Sequence, residues 1–261
     1  MTSHKINFNK IVIKPHVHKN SNVYKKDVGV NIKKKLQFDA SKVIWNGTPF
    51  ISVDTKNVIN TETMKHFNFN QIMYADNKEV FYVAEKCISK TITECIKLRC
   101  KYQNAVIIAG YIIPTSDLLR KIDGIVDIIH IGVPREMKEL GIDYPIASLL
   151  LESIYVMNKN RSNISVACSD IHMTPDISKA LACGVDFVII DDIIRGCSET
   201  NGNYKWINQK LYKCCDNHVS VCKSSVSIEL NKICSQLCNT IYYMNGTDLG
   251  VFDSSEFVLI D

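Results

Sequence analysis

Runs of consecutive apolar, β-branched residues recur along this chain with helix-patterned segments between them. That alternation limits the fold more than any other feature. The runs fall at Ile11–Ile13, Phe50–Val53, Gln71–Ala75, Glu79–Ala84, Ala105–Gly110, Ile125–Gly132, Ile164–Ser169 and Asp186–Asp191. Several, such as AVIIAG and DFVIID, are continuously apolar rather than alternating, as strands covered on both faces are. Helical patterns occupy Lys86–Tyr102, Pro114–Asp123, Tyr144–Lys159, Thr174–Gly184 and Ser227–Met244. In the fourth, Thr174 suits an N-cap, Pro175 the first helical position and Asp176 the positive end of the helix dipole, while Gly184 stops the helix. The pattern predicts an α/β fold around a parallel sheet, open or rolled into a barrel.

A chain of 261 residues that is 46% hydrophobic can bury a sizeable core, and a single domain over 1–261 is expected. A net charge of +4 is too small to argue for nucleic acid. No apolar run reaches 18 residues, and MTSHKINFNK has no apolar signal core. The expectation is therefore a cytoplasmic protein without a membrane partner. The histidines of HVH (16–18) and the lysines of YKKDV and KKKLQF read as solvated surface, since phosphate-backbone binding calls for a larger basic patch interleaved with aromatics.

Eleven cysteines are many for such a chain. Their irregular spacing fits reduced, mostly buried small hydrophobes. An odd count also leaves a thiol for an intermolecular bond. Cys214, Cys215, Cys222, Cys234 and Cys238 are the candidates for intermolecular disulfides or for metal ligation. Cys215, His218 and Cys222 give C-x₂-H-x₃-C, which is not a standard pair of zinc knuckles, so scattered thiols are the preferred reading and no metal is predicted. Cys234 and Cys238 share a helix face by i,i+4 spacing.

The order of the segments resembles the IMP dehydrogenase and GMP reductase family, GMP reductase more closely. FNKIVIKP resembles the family's opening strand. GTPFISVDTKNVINTETM resembles its next strand and loop, and VIIAGYIIPTSDLLRKIDGIVDIIHIGV the two units before the catalytic loop. GIDYPIASLLLES resembles the segment just after that loop, DISKALACGVDFVIIDDIIRGCSET the second phosphate-loop region, and CNTIYYMNGTDLGVF the last helix. The resemblance implies a TIM barrel with its site at the C-terminal strand ends. It also implies hydride transfer between NADP(H) and a purine nucleotide, with a cysteine nucleophile.

The residues that would carry this chemistry are missing. The loop matching the family's catalytic loop, Val133–Asp143, is short and has no cysteine, so no thiolate stands there. The two glycine turns that would cradle phosphate fall on Ser169-Asp170 and on Asp191-Asp192, and Cys168 replaces a ribose-binding Asp. Amides without a Cβ nearby admit an anion; carboxylates at ~4–5 Å repel one by several kcal/mol. Lys56 takes the place of a ligand-positioning Asp, with Asp54 close by, whereas Glu199 does match a family acid. Asp170, Asp191, Asp192 and His172 are too few for a convincing cation site. Between QIMYA and EVFYVA only Asp76–Lys78 remain of a βα unit that needs roughly 30 residues. The stretch after Thr200 is shortened as well.

The expected protein is thus a degenerate TIM barrel, distorted or short of one βα unit. It has no catalytic residues, no cofactor and no nucleotide, and it is built for self-association as a structural or particle-forming protein. The alternatives are a regulatory module that binds a nucleoside, a metal or an active relative, and a residual NADPH-dependent oxidoreductase.

Overall fold

A computed structural model of the protein describes residues 5–15, 29–215 and 218–260. The first elements are β1 (Ile11–Ile13), β2 (Lys34–Gln37), β3 (Ile44–Gly47), β4 (Phe50–Ser52), α1 (Thr61–Asn70), β5 (Met73–Tyr74), β6 (Val80–Val83) and α2 (Ile88–Lys101). Next come β7 (Val106–Ala109), α3 (Ser116–Ile122), β8 (Ile128–Ile131), α4 (Arg135–Glu139), α5 (Ile146–Lys159), β9 (Ser165–Cys168), α6 (Thr174–Ala182), β10 (Phe187–Ile189) and α7 (Asp191–Ile194). The last are β11 (Asn203–Ile207), β12 (Lys210–Cys215), β13 (His218–Val221), α8 (Val226–Tyr243) and β14 (Phe257–Leu259). HVH and the YKKDV lysines lie outside the described residues.

Seven strands form one sheet in the order β5-β4-β10-β9-β8-β7-β6. Every neighbouring pair in it is parallel. This is chain order bent into a ring, because β10 pairs back onto β4 through Val188↔Phe50 and Ile189↔Ile51. The ring is open at one place, between β5 and β6. A TIM barrel has eight strands, and the absent one falls where the sequence is one βα unit short. Residues 75–79 cross the gap as a tight turn. The Asp76 carboxylate holds it by accepting from the amides of Lys78, Glu79 and Val80, each at 2.9 Å.

The parity of the sheet decides which groups meet the gap. On β6 the carbonyls of Glu79 and Val83 accept from Val106 and Gly110 of the β7 segment, at 2.8 and 2.7 Å. Tyr82, of opposite parity, turns its N–H and C=O toward the open side.

Strand residues divide between two cores by the period of two. Ile51, Met73, Val106, Ile108, Ile128, Ala167, Phe187 and Ile189 fill the barrel, together with Phe38. Phe38 comes from the β2–β3 hairpin, its ring 6.2 Å from Phe187, and with Trp45 it plugs the N-terminal end. Phe50, Ile107, Ile129, Ile131, Val166 and Val188 face outward onto the helices. At the same end, the Asp127 side chain is fully buried. It accepts from Arg99 at 2.6 Å and from the amides of Ile107 and Ser41, each at 2.9 Å. Asp186 repeats the device before β10, accepting from the Val166 amide at 2.9 Å and pairing with Lys34.

Six segments were not legible as elements: α1, α4, α7, the β2–β3 hairpin, β14 and the meander β11–β13. β14 pairs antiparallel with β1 and joins the two ends of the described chain. The stretch after Thr200 is no remnant. It folds as a three-stranded antiparallel sheet in the order β11-β12-β13. α6 begins at Thr174 with Met173 at the cap, one residue earlier than the sequence suggested. No helix among the described residues is long and apolar enough to cross a membrane.

Two outcomes are expected. Asp127→Ala removes the counter-charge and the Nη2 acceptor of Arg99 and leaves two buried amides without an acceptor, and should lower stability by about 3 kcal/mol in denaturant unfolding. In native-state hydrogen exchange, the Tyr82 amide should exchange faster than those of Phe81 and Val83 on either side of it.

Candidate functional site at the strand ends

In a parallel barrel the loops after the strands carry function. The C-terminal strand ends here are joined to one another by side chains. His130, the inward residue of β8, donates or accepts through both ring nitrogens: Nδ1 lies 2.8 Å from the Tyr82 hydroxyl and Nε2 lies 2.8 Å from Ser169 Oγ. The chain Tyr82–His130–Ser169 thereby ties β6, β8 and the end of β9 together. The Tyr111 ring lies against the imidazole, with centroids 4.8 Å apart and the planes tilted by 47°. Burial pushes His130 down to about 3, so the ring is neutral at ordinary pH. Gly110 is required beside it, since a Cβ there would meet the Tyr82 hydroxyl at 2.6 Å.

Asp191 makes the second tie. Its carboxylate is buried and accepts from Ser52 Oγ, from the Val53 amide at 2.9 Å and from the Asp54 amide at 3.0 Å. It bonds the end of β10 to the end of β4, across the seam that closes the ring. Burial pushes this carboxyl up to about 7, although the bonds from Ser52 and Val53 pull the other way. Asp54 is held low. Burial alone would raise it, but the bonds from Asn57 and Arg195 outweigh that.

Each acid expected from the sequence has a partner. Asp192 pairs with Arg195, which reaches Asp54 at 2.9 Å with its other terminal nitrogen. Asp170 pairs with Lys138 at 2.6 Å, and its φ of 65° puts it in the left-handed region. Ser169 belongs to the histidine chain. The three carboxylates therefore do not form a bare anionic rim. Asp191 and Asp192 stand together, whereas Asp170 turns toward α4 and lines a cavity of about 280 Å³ with Lys138, Asp143, Tyr144, His172 and Asn7.

The segment in place of the catalytic loop is α4 and its flanks. It carries no thiol, and Leu140 is exposed. Cys168 is fully buried, and burial raises its thiol well above the usual range. Glu199 accepts from the Val226 amide at 3.0 Å and so caps α8. Lys56 is exposed, and its carbonyl accepts from Asn201. Cys214, Cys215 and Cys222 lie on or beside β12 and β13, Cys234 and Cys238 on α8, and all five are half-buried. The two exposed thiols are Cys87 and Cys100, at the ends of α2. The described residues contain no group of three or more His, Cys, Asp or Glu placed to hold a metal ion. The His218 imidazole lies outside the described residues.

His130, Tyr82, Tyr111, Ser52 and Arg195 were not read from the sequence as site residues. The available signal was parity: a histidine on the inward face of an otherwise apolar strand, IIHI, needs polar partners within reach.

A parallel, ring-forming sheet flanked by helices, with its loops at the C-terminal strand ends, defines a protein of the (β/α)-barrel class. A family model described as IMP dehydrogenase / GMP reductase domain matches residues 58–225. The chain belongs to that family. Comparison with curated proteins gives no significant match.

The buried carboxyl sets a pH dependence. Its folded value lies above the usual ~3.9 of an unfolded Asp, so its contribution to stability is complete below about pH 4 and is lost as pH rises toward 7. Asp191→Asn keeps the acceptor for the amides and can donate to Ser52. The variant should exceed the wild type by roughly 2 kcal/mol at pH 8, with the difference shrinking toward zero near pH 4 in denaturant titrations.

Proposed function

We propose that this chain is a catalytically inactive member of the family, kept as a self-associating structural barrel. The reading rests on the filled strand end. The Asp191 carboxylate sits on the Val53 and Asp54 amides where the resemblance implies a phosphate-binding glycine turn. A purine monophosphate does not fit this donor set. A phosphate cradled at the 191–192 turn, as the resemblance implies, would meet the carboxylates of Asp191 and Asp192 in place of glycines. No thiol stands between Val133 and Asp143 to form a covalent adduct with the base. No step through NADP(H) is derived for this chain.

Self-association is supported by large apolar side chains left in solvent on the described surface. Phe69 is 87% exposed and Leu140 78%. Single exposed residues are ordinary, but large apolar side chains this open are the kind that interfaces cover. Any intermolecular disulfide would form most readily at the exposed thiols of Cys87 and Cys100 rather than at the half-buried five.

A second reading, a ligand-sensing module, draws on the cavity beside Asp170. About 280 Å³ lined by Lys138, Asp143, Tyr144 and His172 would accommodate a small polar molecule.

Two measurements test the reading. With GMP and NADPH supplied together, absorbance should show no NADPH oxidation, and calorimetry should give no heat with GMP, IMP or guanosine. Turnover overturns the inactive reading, and saturable heat without turnover favours the sensor. In size-exclusion chromatography the protein should elute above its 29.6 kDa monomer mass; a monomer with and without reductant removes the structural role.

A further inference from the structure

The meander β11–β13 stands apart from the barrel site and is not explained by it. β11 is an edge strand, with β12 on one side only. Tyr204 and Trp206 lie two apart on β11, hence on one face, and are 57% and 70% exposed. Lys205 lies between them in sequence and so faces the other way; its cross-strand partner there is Tyr212. Lys210, on the same face as Lys205, comes just after a tight turn at Asn208 and Gln209, whose φ values are 47° and 63°. Both lysines are exposed, and neither has an ion-pair partner among the described residues. From Thr200 to Cys215 the sequence contains no acidic residue. Lys213 pairs with Tyr204 on the ring face and holds its ammonium 5.2 Å from the centre of that ring, so one face of Tyr204 is taken and Trp206 is the more open ring. Lys213 is itself buried and donates to the carbonyls of Cys197 and Ser198 at 2.8 and 2.9 Å.

We infer that the free edge of β11 binds single-stranded nucleic acid. A chain laid along this edge meets two aromatic faces on one side and two ammonium groups on the other. A single strand has the matching division, with bases to one side of its backbone and phosphates to the other. Bases stack on exposed rings, and lysines neutralise phosphates with release of counterions. A duplex hides its base faces and offers nothing to Trp206. A membrane surface fits less well: the turn that would enter first is Asn208-Gln209, and the rings and cations lie on opposite faces instead of at successive depths. This surface was hidden in the sequence because the stretch was not read as strands, and only pairing in a sheet sorts rings from lysines. The inference is independent of whether the barrel is catalytic.

The test uses the full chain and its tryptophan fluorescence. The probes are a dT oligonucleotide, an oligo-U of equal length, poly-glutamate, and vesicles of phosphatidylserine in phosphatidylcholine. Either oligonucleotide should quench emission saturably. The quenching should vanish in Trp206→Phe, which retains Trp45. It should weaken about tenfold in the double variant Lys205→Glu/Lys210→Glu and fall as salt is raised. Circular dichroism checks that both variants keep the fold. The inference is overturned by the absence of quenching, by quenching that is indifferent to the lysine reversals, by an equal response to poly-glutamate, or by binding to vesicles without binding to oligonucleotide.

Discussion

A strand in a parallel sheet has hydrogen-bonding groups on both sides, so each neighbour a strand gains satisfies one row of them. Here β10 pairs back on β4, which leaves one opening, between β5 and β6, and a set of buried polar side chains ties the strand ends of the ring together. At the N-terminal end, Asp127 and Asp186 each sit just before a strand and accept the amide of a residue on the preceding one, Ile107 and Val166. Each carboxylate also draws in a cation, Arg99 from α2 or Lys34 from the plugging hairpin. The same Val-Asp pair opens both strands in the sequence. At the opposite end Asp191 does the corresponding job across the closing seam. At the β5–β6 gap Asp76 folds the chain back on itself instead.

This arrangement explains why the strand ends resemble a site without offering an obvious one. In this chain a carboxylate and a serine have bonded to one another's strands there. The imidazole of His130 does the same between β6 and the end of β9. A glycine pair at 191–192 would leave Val53 and Asp54 with free donors. Asp191 uses both, and Arg195 pairs with the neighbouring Asp192 and Asp54. The result is a bonded strand end with a neutral imidazole and a carboxyl raised by burial.

The barrel strands were legible because their apolar runs are continuous, a pattern with few other uses. The missing unit was legible as a missing length. The position of Asp191 and Asp192 could be read, but not their partners: Ser52 is 139 residues away in sequence and becomes a neighbour only when the ring closes. The meander escaped notice for a different reason. NYKWI and KLYKCC alternate aromatic with lysine, which without a partner strand resembles a polar loop. The α1 segment, TETMKHFNFN, is polar enough to conceal a helix that buries only Thr63 and Phe67.

The sequence by itself determined that the chain builds a parallel barrel of this family, that the barrel is one unit short, and that the catalytic loop has no thiol. Those properties depend on the local period, on length and on residue identity. Tertiary structure alone decided which strands carry the opening, that each strand-end acid finds a donor or a cation, and that β11 presents rings and lysines on opposite faces. These depend on which residues meet across the ring and across a sheet, and contacts between distant positions leave no mark in a local pattern.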